Sequence, residues 1–288
     1  MPAEEGMSMN DTSAATGLRT QIAAAVEAAR AKTPMTPSIT NTVTINFVAN
    51  AQLAVGGSAA MVYLPDEGEV MAQAGAAIYV NVGTLMPVYA ELLPRTVRAL
   101  RDHGTPWVLD PVAIGVGGLR TELLRQFREF RPTVIRGNAS EIIALAALWG
   151  LSTRGSERVR GVDSIDTVDA ARDAAVALAR WTHGAVAVSG VVDLVTDGIL
   201  VAHSSGGSPL MARITGAGCS LGGVAAVYAA VSSPFTAALT ATAIYNLAGA
   251  RAGQTADAPA SFQVAFLDEL YRAAAADVAA NPLEVEEA

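Results

Sequence analysis

The chain has 288 residues, 51% of them hydrophobic and 16% charged, with a formal net charge of −8. That balance argues against a nucleic-acid surface or an anchor on an anionic membrane, since both need a basic face. A single cysteine, Cys219, cannot form an internal disulfide and fits a reducing cytoplasm, and the polar opening MPAEEGMSMN lacks the basic and apolar regions of a secretory leader.

Residues 1–14 read as a disordered tail and residues 15–288 as a single domain, with no linker or internal repeat. The stretch ATGLRTQIAAAVEAARAK (15–32) predicts an amphipathic helix stopped by Pro34 and Pro37. TPSITN then opens extended, NFVANAQLAV has helical spacing, GGS is a turn, and AAMVY is a short buried strand. From there strands and helices alternate. Strands are expected at Ala77–Asn81, Pro106–Asp110, Thr133–Arg136 and Ala185–Ser189. Helices are expected at Met86–His103, Arg120–Phe130, Ala139–Trp149 and Thr167–His183. A polar, Gly-containing stretch at 153–166 reads as a surface loop. Asp193–Thr196 and Ile199–His203 form a hairpin turning at Asp197-Gly198. Helices at Gly218–Val231, Ala237–Ala252 and Phe262–Ala280 close the chain. The longest near-apolar run, around Gly222–Val231, is too short for the about 20 residues of a membrane span. Continuous apolar strands between helices predict an α/β protein with a mostly parallel sheet.

In such sheets ligands bind beyond the carboxyl ends of the strands, and polar residues collect at five such places. AIYVN ends in Asn81-Val82-Gly83-Thr84, and PWVLD in Asp110-Pro111. TVI runs into Arg136-Gly137-Asn138, with Glu141 one turn on, and AVAVS ends in Ser189-Gly190. The fifth is the turn Thr215-Gly216-Ala217-Gly218, which leads into Cys219. Glycines free the backbone amides to turn toward a ligand, and the start of a helix adds unpaired N–H groups and a positive dipole end. This suits an anion, although a plain helix-start turn needs the same residues. Asp110 and Glu141 can serve a hard cation or, more simply, a cap and a solvated helix turn. Arg136 is a phosphate fork or a surface ion pair. Asn41 and Asn50 flank the helical stretch near the crevice and can cap or bind. Met61 reads as core by its residue type. The three histidines have no metal-ligand spacing, and P-loop, CxxC and HExxH patterns are missing.

SITNTVTINFVANAQLAVGGSAAM resembles the "ITN…NF.AN..LA.G.SP.M" opening of the hydroxyethylthiazole kinases. NVGTL, LDPVAIG, VIRGNASEI, VSGVVDLVTDG, TGAGCSLGG and ASFQVAFLDEL follow in that family's order, so the resemblance runs from about Thr36 to Leu270. It implies a ribokinase-like fold, a three-layer αβα arrangement. It implies transfer of the γ-phosphate of ATP, with Mg²⁺, to the hydroxyl of 4-methyl-5-(2-hydroxyethyl)thiazole in thiamine salvage. It further implies a cytoplasmic homotrimer with active sites at subunit boundaries.

Carried over motif by motif, Met61, Gly216 and Asn41 would meet the thiazole. Arg136, Ser189 and Asn138 would meet ATP, and Asp110 and Glu141 the metal and phosphates. Gly216, Gly218 and Cys219 would carry the chemistry, Cys219 standing where the wider ribokinase group places a basic aspartate. A helix N-terminus would lower its thiol pKa and ATP phosphates would raise it, so a general base and a small buried helix-start residue remain the two readings. Three departures from the family pattern stand out: Ala217 for a threonine, Ala59 for a proline, and Ala258 and Ala260 for the glycines of GPGSF. Another ribokinase-like small-molecule kinase, a nucleotide-dependent dehydratase, or a catalytically silent nucleotide-binding protein are the alternatives.

Overall fold

The computed structural model describes residues 9–151 and 167–288. The first helix, α1 (Met9–Lys32), starts six residues ahead of the expected helix, so residues 9–14 of the expected tail are helical. Residues 1–8, and the loop expected at 153–166, lie outside the described residues.

Nine strands form one sheet. In chain order they are β1 (Met35–Ile39), β2 (Ser58–Met61), β3 (Ile78–Asn81), β4 (Trp107–Asp110), β5 (Val134–Asn138), β6 (Ala185–Ser189), β7 (Val192–Thr196), β8 (Leu200–Ser205) and β9 (Leu283–Glu287). The spatial order is β2-β1-β3-β4-β5-β6-β7-β8-β9. The first six of these are parallel, and the last three join antiparallel at one side. The apolar runs of β3 to β6 are buried because helices cover both faces of the sheet.

Alternation sorts the side chains between two cores. Ile78, Val80, Leu109, Ile135 and Val186 face one core, made with α3 (Pro65–Ala74), α4 (Tyr89–His103), α5 (Gly118–Phe127), α6 (Ala139–Leu148) and α7 (Arg172–Thr182). Tyr79, Val108, Val134 and Ala187 face the other, made with α1, α2 (Ile45–Ala54), α8 (Ala217–Ala229), α9 (Pro234–Thr255) and α10 (Pro259–Arg272). This is the α/β architecture with a mostly parallel sheet that the alternating pattern predicted, in the three-layer αβα form that the family resemblance implied.

Several expectations are revised. Helix α3 was not foreseen: Pro65 opens it and the Glu67 carboxylate accepts the Leu64 amide, but its buried residues are only Gly68 and Ala72. Strand β9 was also missed. The helix expected over 262–280 divides into α10 and α11 (Ala275–Ala279), because Ala273 leaves helical geometry at φ −57°, ψ 108°. There Arg30 of α1 donates to the carbonyls of Tyr271 and Ala273. The start of the 167–183 helix is a 3₁₀ turn over Asp169–Ala171. Among the described residues no helix is long and apolar enough to cross a membrane.

Candidate active site

The parity that sorts the core also assembles the site. Asn81 follows Tyr79 by two residues, Asp110 follows Val108, Arg136 follows Val134 and Ser189 follows Ala187, so all four polar side chains fall on the α8 face. Register sets Asn81 level with Asp110, while Arg136 pairs with Ala187 and Ser189, paired with Asn138, stands two residues further toward the carboxyl edge. The strand ends at Asn81, Asp110, Arg136 and Ser189 therefore converge, as the sequence implied, beneath the first turn of α8.

Gly216 is the N-cap of α8 with φ +89°, a left-handed conformation natural to glycine, and a Cβ there would lie 2.8 Å from Thr44 Cγ2. Gly218 presses against the Arg136 guanidinium, where a Cβ would lie 2.6 Å from Nη1. Further along α8, a Cβ on Gly222 would lie 2.4 Å from the Tyr79 ring. Glycines at these points let the helix start close over the strand ends, with its free amides directed at the crevice.

A buried polar chain runs across the strands. Asn41 Nδ2 donates to Asn81 Oδ1 at 3.3 Å and to Cys219 Sγ at 3.2 Å. Asn81 Nδ2 donates to the Tyr79 hydroxyl (2.8 Å) and to Asp110 Oδ2 (3.2 Å). The Tyr79 hydroxyl donates to Asp110 Oδ2 at 2.9 Å, and Arg136 Nη1 stands 3.5 Å from the same oxygen. Arg136 Nη2 donates to Ser189 Oγ at 2.9 Å. Asn81 Nδ2, the Tyr79 hydroxyl and Arg136 Nη1 thus meet on Asp110 Oδ2. The second carboxylate oxygen, Oδ1, is fully buried and has no hydrogen-bond partner among the described residues.

The electrostatics follow from this burial. Desolvation pushes the Asp110 carboxyl up to about 7, the Arg136 guanidinium pulls it back, and Glu141 adds to the rise. Burial works against the charge of Arg136, but Asp110 and Glu141 outweigh it and hold that group above its ordinary value. Cys219, in the first turn of α8, is pushed up by burial and by Asp110, with Arg136 opposing. The sequence set a lowering by the helix terminus against a raising by ATP phosphates; burial beside a carboxylate pushes this thiol up even without ATP.

Glu141 and Asn138 form a reciprocal cap on α6. Asn138 Oδ1 accepts the Glu141 amide and Glu141 Oε2 accepts the Asn138 amide, both at 2.9 Å, while Glu141 Oε1 accepts the Ala113 amide at 3.4 Å. Met61 ends β2, two strands from β3 on the same carboxyl edge, half-buried and outside the polar chain. Asn50 is turned to its own helix, donating to Asn46, so of the two asparagines only Asn41 joins the site. Sequence reasoning missed Tyr79, whose position two residues before Asn81 on the same strand was the available signal.

The residues fit a magnesium ion. A buried carboxylate with one unpartnered oxygen, and a second carboxylate one strand away, suit a hard cation that keeps water and phosphate oxygens as its other ligands. No group of three or more His, Cys, Asp or Glu side chains suited to a metal occurs among the described residues.

A family model described as the hydroxyethylthiazole kinase family matches residues 26–275. The hydroxyethylthiazole kinase of Bifidobacterium longum (strain DJO10A) is 51% identical, covering 93% of this chain and 92% of the relative. That of Bifidobacterium adolescentis is 52% identical over 92% and 94% of the two chains. The solved hydroxyethylthiazole kinase from Pyrococcus horikoshii superposes with a TM-score of 0.82 at 30% identity, covering 93% of this chain and 99% of that one. A pyridoxal kinase from Staphylococcus aureus, solved with AMP-PCP and pyridoxal, shares the fold at a TM-score of 0.53 and 17% identity. By the extent and identity of these matches, the chain belongs to the hydroxyethylthiazole kinase family.

Proposed function

We propose that the protein phosphorylates the hydroxyl of 4-methyl-5-(2-hydroxyethyl)thiazole with ATP, a salvage step of thiamine biosynthesis. The observation that carries this reading is the meeting of Arg136, the unpartnered Asp110 Oδ1 and the amide-bearing start of α8 at one sheet edge, in a chain of this family.

Phosphoryl transfer through a loose transition state depends on positioning and charge stabilisation more than on covalent chemistry. The amides of Gly218 and Cys219 are placed to receive charge on the transferred phosphoryl oxygens. Arg136, held between Ser189 and Gly218, offers its guanidinium to the phosphates. Asn41 orients the acceptor hydroxyl beside Cys219, and Gly216 and Met61 border the thiazole. Asp110, supported by Glu141, would hold Mg²⁺, which when bound neutralises phosphate charge. Cys219 acts as a neutral thiol that fills and shapes the site, because burial and Asp110 both disfavour the thiolate. Asn138 acts on ATP through the cap that seats Glu141.

We place the enzyme in the cytoplasm, which suits its free thiol, and as a homotrimer. Support for assembly comes from the β2 side of the sheet, where Val43, Leu53, Leu64 and Val70 are all at least half exposed. Residues 15–288 act as one domain.

Purified protein with Mg²⁺-ATP and the thiazole should yield thiazole phosphate by mass spectrometry, while parallel reactions with sugars, hydroxymethylpyrimidine and pyridoxal should not. Absence of that product, with ATP still bound, would transfer the assignment to another acceptor or to a silent binding role.

A further inference from the structure

A second buried polar cluster lies beside the site and takes no part in the chemistry above. Asp193, at the start of β7, accepts the Gly190 amide on Oδ1 at 2.8 Å and Asn246 Nδ2 on Oδ2 at 3.0 Å. Asn246 projects from α9 and also donates to Ser204 Oγ (3.2 Å) and the Ser204 carbonyl (3.3 Å) at the end of β8. The Asn246 carbonyl in turn accepts the Gly207 amide at 2.8 Å. From the far side, Asn281 donates to Ser204 Oγ and to the Ser205 carbonyl, each at 3.1 Å.

The cluster is mutually hydrogen-bonded and largely buried: Asn246, Ser204 and Asn281 are 6%, 2% and 8% exposed. Gly206 and Gly207 take positive φ values of +142° and +75° where the chain presses on Asn246. A Cβ on Gly206 would lie 2.9 Å from that of Asn246, so the loop cannot be lifted from α9 by a larger residue without strain.

This cluster joins two loops that end on Arg136. One is the Ser189-Gly190 turn, whose serine accepts from Arg136. The other leads from β8 through Gly206-Gly207 to Gly218, which packs on the Arg136 guanidinium. Three backbone elements, β7, β8 and α9, are thereby fixed to one another at the side of the site where the phosphates would lie. Asn281 is also notable for its place in the chain: it lies beyond residue 275, where the family match ends.

We propose that Asp193 and Asn246, braced by Asn281 through Ser204, are positioning residues that set the spacing of the two nucleotide-side loops, and so determine affinity for ATP and not for the thiazole. This rests on the kinase reading above. A purely structural network would lower stability and weaken both substrates together. A positioning network acts on one. Asp193→Asn leaves one oxygen for two donors, so its N–H₂ group must face either the Asn246 amide or the Gly190 N–H. Asn246 cannot resolve that by turning its own amide over, because the same nitrogen serves the Ser204 carbonyl.

The test measures steady-state constants for Asp193→Asn and Asn246→Leu, with calorimetric binding of a non-hydrolysable ATP analogue and, separately, of the thiazole. Loss of a charge-assisted buried hydrogen bond should raise the KM for ATP and the analogue Kd by about tenfold or more. The thiazole Kd should stay within about twofold, and kcat at saturating ATP should be largely retained. An analogue Kd that stays at the wild-type value in folded variants, or a parallel loss for both ligands, overturns the proposal. If those variants do not fold, Ser204→Ala and Asn281→Ala carry the same comparison with smaller, severalfold changes. Wild-type protein that binds the analogue without making thiazole phosphate would refute the kinase reading while the analogue Kd still decides the clamp. Wild-type protein that does not bind the analogue would refute both.

Discussion

Asp110 is the residue on which the site turns. Three donors crowd Oδ2 and leave Oδ1 bare, so the carboxylate has one committed and one open oxygen. Asp110→Asn should lower kcat by about a hundredfold or more with folding preserved by circular dichroism, since a neutral amide cannot replace an anionic ligand of a hard cation. The carboxyl is pushed up to about 7 by burial, and the charged form is the one that binds a cation. The kcat/KM of the wild type should therefore fall as pH drops below about 7.

The same shift has the opposite sign for stability. The unliganded folded state holds this proton more tightly than the unfolded chain does. The contribution of Asp110 is fully present below the unfolded value, near 4, and is lost as pH rises through about 7. Urea midpoints between pH 5 and pH 8 should show that slope in the wild type and a flatter one in Asp110→Asn. Cys219→Ser tests the thiol. A hydroxyl can still accept from Asn41, and a neutral side chain suffices in the mechanism above, so activity should remain within about tenfold of wild type. A loss of several orders of magnitude in initial rate would restore the general base. These positions were partly legible in the chain: Asp110, Arg136 and Ser189 stand at strand ends, where a switch from apolar to polar marks the open edge of a parallel sheet. Tyr79 was not, because a tyrosine inside an apolar strand looks like core until its hydroxyl is found on Asp110. The Glu141 and Asn138 cap was hidden for the converse reason, since N-x-x-E at a helix start serves a cap and a ligand equally well.

At the level of elements, α8 shows why a helix rich in small residues belongs over the strand ends. Gly222 admits the Tyr79 ring, and a side chain there must push either α8 or Tyr79 away. Gly222→Val should destabilise the fold by about 1–3 kcal/mol in urea titrations, as overpacking does. It should also reduce activity beyond what the lost stability explains, because Tyr79 would carry the shift to Asp110. The strands β3 to β6 could be located from sequence because burial on both faces makes them continuously apolar. Helix α3 could not, since it buries only Gly68 and Ala72 and therefore shows no hydrophobic stripe. Strand β9, LEVEE, carries three glutamates and owes its geometry to pairing with β8, a partner some eighty residues earlier. The break between α10 and α11 falls in an alanine run that local propensity would carry through as helix. It is imposed from α1, where Arg30 takes the carbonyls at the break.

For the whole molecule, ligand binding is linked to stability. Because a nucleotide binds the folded chain and not the unfolded one, Mg²⁺-ATP at about a hundred times its Kd should add about 2.7 kcal/mol and raise the melting temperature by several degrees. No upward shift in a thermal scan would argue against the nucleotide site. Light scattering behind a sizing column should give three times the monomer mass if the apolar residues near β2 are covered by neighbouring copies.

The two borders of the sheet differ in a way that bears on how copies can meet. The β9 border carries Glu284, Glu286 and Glu287, while β2, SAAM, is short and uncharged. A second molecule approaching β9 with its own β9 meets like charge at Glu284 and Glu287, with Glu286 drawn to Arg172, which discourages the strand-to-strand pairing that exposed borders invite. Contacts made on one side of the sheet only can close into a small ring, but they cannot propagate from sheet to sheet. In the proposed homotrimer, the charge on β9 would guard the open side of the sheet against fibre growth.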